Sequence, residues 1–164
     1  MWKSCLKLNM ILVLALLSGK CLKAQTLTIT FSTATGGITL SGSGTSSATI
    51  GFGNIQAFGG SVPSGVTKSV NGSSDWSLTT PVDVLVTESG VVSASYALTA
   101  QLQSADSINT WQIGSATVTS SSAATITVAG SYGTAMPYTL TLIIPFSAAP
   151  GAINNTLDFV ATAN

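Results

Sequence analysis

The sequence predicts an all-β domain, an antiparallel β-sandwich of about eight to ten short strands. Apolar and polar residues alternate with a period of two in many short segments, as expected for strands with one buried face. Turn residues recur roughly every 8–12 positions, a spacing typical of sandwiches and barrels. Thr and Val, which favour strands, and Gly and Ser, which favour turns, are abundant. No segment after residue 24 shows a sustained helical period.

The first 24 residues are predicted to be a secretory signal peptide. Residues 1–9 carry two lysines, residues 10–17 (MILVLALL) are apolar, and residues 18–24 are more polar. The favoured cleavage site lies between Ala24 and Gln25. The apolar run is too short for a transmembrane helix, which takes about 20 residues. We therefore expect an exported protein in the periplasm, at the cell surface or outside the cell, with no transmembrane segment in the mature chain.

Residues 25–164 are expected to form one domain without a disulfide, because both cysteines, Cys5 and Cys21, lie in the leader. Lys20 directly before Cys21 disfavours a lipoprotein anchor. Cleavage after Gly19 and a buried N-terminal helix are the alternatives to the favoured leader. A chain of this length can bury an adequate core without a disulfide.

The scarcity of ionisable groups after the leader argues against catalysis. Most enzyme mechanisms need a general base, an activated nucleophile or a metal ligand. The chain has no His or Arg, and we expect no cofactor, no metal and no catalytic residue. The absence of basic clusters also makes nucleic acid an unsuitable partner. The ionisable Lys, Asp and Glu side chains after residue 24 are Lys68, Asp75, Asp83, Glu88, Asp106 and Asp158.

In the first half of this domain, each predicted strand is bounded by turn residues. Gly36-Gly37 breaks the chain, a Gly/Ser-rich stretch follows, and Asn71-Gly72 is a strong hairpin signal. Pro81 predicts a break or a bend between two strands. The predicted strands here are 25–32, 38–40, 48–55, 66–70, 76–80 and 82–87.

In the second half, polar loops and a Ser-rich link at 119–122 separate longer segments. The segment 138–146 (YTLTLIIPF) is the clearest strand, and Pro145 is expected to end its regular pairing. The predicted strands are 91–103, 111–118, 124–129, 138–146 and 156–162.

The segment 25–32 (QTLTITFS) is a candidate assembly strand. Leu27, Ile29 and Phe31 alternate with polar residues, and the segment contains no charge and no proline. Such a segment could complete the sheet of a neighbouring subunit by β-strand addition. The alternative is that it forms this domain's own first strand.

Aromatic residues offer a second candidate site. Trp111 follows the polar pair Asn109-Thr110 and is the candidate for an exposed platform that stacks on sugar rings. Most of the other tyrosines and tryptophans of the mature chain are expected to fill the core. They are Trp76, Tyr96, Tyr132 and Tyr138.

Two stretches resemble a bacterial family. Residues 52–55 (FGNI) look like an element near the start of spore-coat-U-like and archaic chaperone–usher pilin domains. Residues 144–157, from Ile-Pro-Phe to the Gly-containing stretch that ends in Thr-Leu, look like the closing hairpin of those domains. In the hairpin, Ile153 stands in place of an aromatic residue and Asn155 in place of an aspartate. Many family members also have a disulfide.

The resemblance implies an immunoglobulin-like sandwich that assembles into surface fibres or coats. Together with the export signal, it favours a non-catalytic subunit of a fibre, coat or adhesive layer that self-associates by strand complementation. The alternative hypothesis is a monomeric secreted module that binds polysaccharide through exposed aromatic residues.

Overall fold

The computed structural model describes residues 26–30, 39–41, 46–56, 59–88 and 93–164, and within these ranges all regular secondary structure is β. The predicted leader, residues 1–24, lies outside the described residues, and so does Phe31. The strands are β1 Thr26–Thr30, β2 Thr39–Ser41, β3 Ser47–Gly53, β4 Thr67–Asn71, β5 Asp75–Thr87, β6 Tyr96–Leu102, β7 Thr110–Ile113, β8 Ala116–Val118, β9 Ala124–Gly130, β10 Met136–Pro145 and β11 Ile153–Ala163.

The strands form two antiparallel sheets. The first has the order β1–β5–β10–β7–β8, with β4 also paired to β5, and the second has the order β2–β3–β11–β6–β9. Every strand pair is antiparallel. The predicted all-β, two-sheet architecture is therefore confirmed.

One apolar core joins the two sheets. Along β6 every second residue is buried, and the same alternation runs through β3 and the inner half of β10. Phe52 of the second sheet meets Trp111 of the first with ring centroids 6.2 Å apart. Each fully buried Leu, Ile, Val or Phe side chain contributes about 1.5–3 kcal/mol relative to exposure. The period-two pattern thus supplies the energy that holds the sandwich together.

The long strand β5 differs from the expectation of two strands divided at Pro81. It runs unbroken for 13 residues and pairs with β10 over ten of them. On its other edge, β4 pairs with residues 75–79 and β1 with residues 83–87. Pro81 falls between these two ladders, so its missing N–H interrupts neither of them.

The strand predicted over 111–118 is instead a hairpin. The chain reverses at Gly114, whose φ is 58°, so that Trp111 pairs with Val118 and Ile113 with Ala116. This extra turn, together with the unpredicted length of β5, accounts for most of the differences from the expected strands. The hairpin predicted at Asn71-Gly72 is confirmed, because β4 and β5 are joined there and Gly72 has a φ of 73°.

Three tyrosines pack together at the end of the sandwich where β5 finishes and β6 begins. Tyr96 is fully buried, and its ring centroid lies 5.2 Å from that of Tyr132. Burial raises the pKa of Tyr96, and the neighbouring Tyr138 and Tyr132 raise it further. Gly130 pairs with Tyr96 across β6 and β9, and a Cβ there would lie 2.3 Å from the ring carbon Cζ of Tyr96. Residue 130 must therefore be glycine for this ring to fit.

Replacing Gly130 by Ala is expected to destabilise the fold by about 1–3 kcal/mol, because the buried Tyr96 ring would have to shift. Urea unfolding followed by tryptophan fluorescence measures this loss. Gly151→Ala is the matched control, since nothing lies within 4 Å of its added Cβ, and its effect should stay within about 0.5 kcal/mol. Equal stability of the two variants would contradict the packing of Tyr96 on Gly130.

Candidate functional site

An open groove of about 970 Å³ lies at the opposite end of the sandwich from the tyrosines. At this end β5 and β11 begin and β10 finishes, so the groove is framed by connections rather than by strand edges. The lining residues are Asn54, Ile55, Gln56, Trp76, Ile108, Asn109, Ile144, Pro145, Phe146, Ala148, Ala149, Pro150, Gly151, Ala152 and Ile153.

Lys68 fixes the first wall of the groove, the connection that follows β3. Its Nζ donates hydrogen bonds to the backbone carbonyls of Gln56 (2.8 Å) and Gly59 (2.6 Å). The same ammonium lies 5.9 Å from the centroid of the Trp76 ring, within cation–π range. One lysine on β4 thus ties the connection to the tryptophan at the base of the groove.

Asp106 fixes the second wall, the loop between β6 and β7. Its Oδ1 accepts hydrogen bonds from the backbone amides of Ile108 (3.1 Å) and Asn109 (2.9 Å). Its Oδ2 accepts from the side-chain amide of Asn109 (2.9 Å) and from the indole Nε1 of Trp111 (2.8 Å). A single carboxylate therefore folds the loop and places Ile108 and Asn109 at the groove.

These contacts also set the acidity of Asp106. Partial burial by itself raises the pKa of the carboxyl, but hydrogen bonds from Asn109, Trp111 and Ile108 outweigh burial and hold the pKa below its ordinary value. Hydrogen bonds to the ionised form favour that form. The loop is therefore held most firmly when Asp106 is charged.

The third wall is the connection between β10 and β11. The Phe146 amide donates to the Ser74 carbonyl (2.8 Å), which attaches this connection to the β4–β5 hairpin. At the start of β11, the buried Asn155 donates from Nδ2 to the Ser104 carbonyl (2.9 Å). The closing hairpin is thereby joined to the loop that Asp106 folds, and the walls share a common framework.

The groove is apolar at its base and amide-bearing at its rim. Trp76 is only 4% exposed and supports the base, whereas Ile108 is 56% exposed and Phe146 36% exposed. Within the described ranges, no three His, Cys, Asp or Glu side chains come together as a metal site requires. The described lining residues carry no ionisable side chain. They offer apolar contact and neutral hydrogen-bonding groups to a ligand.

Trp111 is not an exposed platform, and that prediction is wrong. The side chain is 1% exposed and lies between the sheets, with its indole N–H bound to Asp106. Its position on β7 opposite Leu142, a fully buried residue of β10, places it on the inner face of the sheet. The prediction relied on the polar pair Asn109-Thr110 before it. Those two residues belong to the outer surface, but their polarity does not indicate the exposure of the tryptophan that follows.

The candidate assembly strand pairs within its own chain. In β1, Leu27 lies opposite Val86 and Ile29 opposite Val84, two fully buried residues of β5. The interpretation of this segment as the domain's own first strand is confirmed for residues 26–30. Exchange of the strand between copies stays a prediction.

The two stretches that carry the family resemblance meet at the groove. Asn54 and Ile55 of the first stretch line it, as do Pro145, Phe146 and Ile153 of the second. No protein-family model, curated protein or solved structure matches this chain. None of the described residues forms a helix long and apolar enough to cross a membrane.

The sequence patterns did not predict the groove. Ile108 is an apolar residue within a polar loop, and Phe146 follows Pro145 at the end of the predicted strand 138–146. These are the signals that could have marked the two residues. Their convergence depends on loops that are far apart in sequence, which only the folded topology brings together.

Asp106→Asn is expected to reduce the free energy of unfolding by about 1–2 kcal/mol at neutral pH. The amide keeps one acceptor oxygen but turns an N–H toward the Trp111 indole, which loses its acceptor. The pKa of Asp106 is lower in the folded state than in the unfolded state. The contribution of Asp106 to stability is therefore complete at pH values above the pKa of the unfolded state, and it is lost as the pH falls through the pKa of the folded state.

Urea titrations at neutral and acidic pH measure this dependence. The difference between wild type and Asp106→Asn should narrow in acid. Asp83→Asn removes the same charge from an outward position of β5 and serves as the control. If the loss of unfolding free energy in Asp106→Asn did not depend on pH, the charge of Asp106 would not be what holds the loop.

Lys68→Met is expected to loosen the connection after β3 while leaving the two sheets intact. Methionine keeps most of the apolar stem but donates no hydrogen bond to Gln56 or Gly59. Amide hydrogen exchange should accelerate at residues 54–56 and 59–60 and remain unchanged in the paired part of β5 and β10. Uniform acceleration throughout the domain would contradict a local role.

Proposed function

We propose that this chain is an exported, non-catalytic structural protein, a subunit of a surface fibre, coat or adhesive layer, whose copies join by exchanging β1. Its domain is, in this proposal, an immunoglobulin-like sandwich. The observation that carries the proposal is the position of β1. It lies at the edge of the first sheet and, among the described strands, pairs with β5 alone.

The register explains why β1 suits exchange. Leu27 and Ile29 oppose Val86 and Val84, which lie fully buried in the core, so loss of β1 would leave an apolar edge on β5. An equivalent strand from another copy offers the same register and the same side chains. An uncharged, proline-free edge has none of the usual devices that prevent pairing with a second chain.

Exchange is also energetically accessible. The β1–β5 ladder is the same whether the two strands belong to one chain or to two, so the exchange creates and destroys equivalent contacts. The balance then depends on the connection after β1 and on the local concentration of subunits. A surface on which subunits are delivered in succession favours the exchanged form.

The remaining features support a structural role. The leader pattern of residues 1–24 directs export, and the mature chain has one lysine and no His, Arg or Cys. Three of the described acids accept hydrogen bonds that serve structure: Asp106 folds a loop, Asp75 accepts from Ser74 in the β4–β5 hairpin, and Asp158 binds Ser47 and Gln103 on the outer face of the second sheet. A hydroxyl-rich exterior with little charge suits a passive building unit.

The decisive experiment compares the size distribution of protein exported from its native host with that of a variant lacking residues 25–33. Light scattering after size exclusion should show ladders or fibres for the wild type and none for the truncated variant. Ile29→Asp should also abolish them, because residue 29 opposes the buried Val84. Thr28→Asp is the matched control, since residue 28 opposes the outward Leu85.

A synthetic peptide of residues 25–33 keeps the test valid where a variant folds poorly. The peptide should bind the truncated variant, restore its resistance to urea and yield a compact particle that does not polymerise. Polymer that survives the truncation would refute strand exchange. A compact monomer for the wild type, under all conditions in which it is exported, would refute the subunit role as well.

A further inference from the structure

The groove at the end of the sandwich is built to accept an uncharged partner. All fifteen described residues of its lining are neutral. Lys68 stands behind one wall, but its ammonium is turned to the carbonyls of Gln56 and Gly59. Asp106 stands behind another wall, with both carboxylate oxygens engaged by the loop. An anionic or cationic ligand would therefore meet no complementary charge.

The rim retains hydrogen-bonding capacity. The side-chain amides of Asn54 and Gln56 make no hydrogen bond to another described residue, although both belong to the lining. Asn109 uses its Nδ2 on Asp106, which leaves its Oδ1 as an acceptor. These groups supply donors and acceptors around an apolar base, the composition typical of small-molecule sites.

The exposed apolar surface lies beside these amides. Phe146 and Ile108 are exposed at the groove, although buried positions are the rule for large apolar side chains in the rest of the domain. Phe146 is held by its backbone amide on Ser74, so its ring is attached to a defined piece of main chain. Phe146 is 36% exposed, so part of its side chain is accessible to a ligand at the groove.

We infer that this groove binds a neutral carbohydrate, with a sugar ring against Phe146 and its hydroxyls on the amides of Asn54, Gln56 and Asn109. A pyranose carries C–H groups on its faces and hydroxyls around its edge, which matches an apolar surface bordered by amides. A lipid chain or an apolar peptide would bury those amides without partners, which costs free energy. The groove also lacks the free strand edge on which an extended peptide pairs, because connections frame it.

The inference does not rest on the proposed assembly. The groove includes Trp76, the second residue of β5, whereas β1 pairs with the last five residues of the same strand. A monomeric preparation can therefore be tested for carbohydrate binding, and failure of one proposal leaves the other standing.

The test is affinity electrophoresis of the exported full-length mature protein in native gels that contain one soluble polysaccharide each. Dextran, mannan, galactomannan and a soluble β-glucan are the neutral probes, and alginate is the anionic probe. At least one neutral polysaccharide should retard the wild type, and alginate should not. Phe146→Ala should weaken binding about tenfold or more and Gln56→Ala several-fold, as expected when a central contact is truncated.

Val160→Ala is the control, because Val160 is an apolar residue on β11 that is at least as exposed as Phe146 and lies outside the groove. It should bind like the wild type, and thermal unfolding should show that Phe146→Ala and Val160→Ala are equally folded. Three results would each overturn the inference: no retardation by any neutral polysaccharide, undiminished retardation of Phe146→Ala, or retardation by alginate equal to that by the neutral probes.

Discussion

The ten-residue ladder between β5 and β10 is the interaction on which the rest of the fold depends. It runs from Asp75 opposite Pro145 to Val84 opposite Met136 and forms the centre of the first sheet. The residues that both strands direct inward are buried against the second sheet. Since β5 is longer than its partners, its other edge is shared by β4 and β1. The strand proposed for exchange is thus attached to the most extensively paired strand of the domain.

Two of the ionised groups of the domain, Lys68 and Asp106, act on its connections. Lys68 and Asp106 each organise one connection through several hydrogen bonds, and both of these connections border the groove. Hydrogen bonds to charged groups are stronger than those between neutral groups, so one side chain can hold a whole loop. The strands do not depend on hydrogen bonds to Lys68 or Asp106, because backbone ladders and alternating burial specify them. These two charges therefore act where the regular pattern ends.

The fold class was predictable because it follows from a local pattern. Alternation with a period of two reveals which face of each strand is buried, and Asn71-Gly72 identified a hairpin. The errors arose where context decided the outcome. Pro81 is tolerated inside β5 because two separate ladders leave a gap beside it, and Trp111 is buried because the pairing of β7 with β10 places it opposite the buried Leu142.

The groove could not be predicted for a different reason. Its walls come from three connections that are widely separated along the chain, and their arrangement depends on the order of strands in both sheets. Local patterns carry no information on that order. Apolar residues in loops, such as Ile108 and Phe146, show where exposed hydrophobic surface arises, but not which of these residues become neighbours.

The two proposed activities use opposite ends of one strand. β5 lies beside the groove at Trp76, its second residue, and ends beside β1 at Thr87, a span of about 35 Å for an extended chain. Exchange of β1 would alter the edge of β5 between residues 83 and 87, and it would leave the ladder with β4 and the walls of the groove unchanged. Each subunit of an assembled fibre or coat would therefore keep its groove. Repetition of a weak carbohydrate site along a polymer raises the overall avidity well above the affinity of one site. A shallow, uncharged groove of modest affinity is thus compatible with firm attachment, provided that many copies are joined.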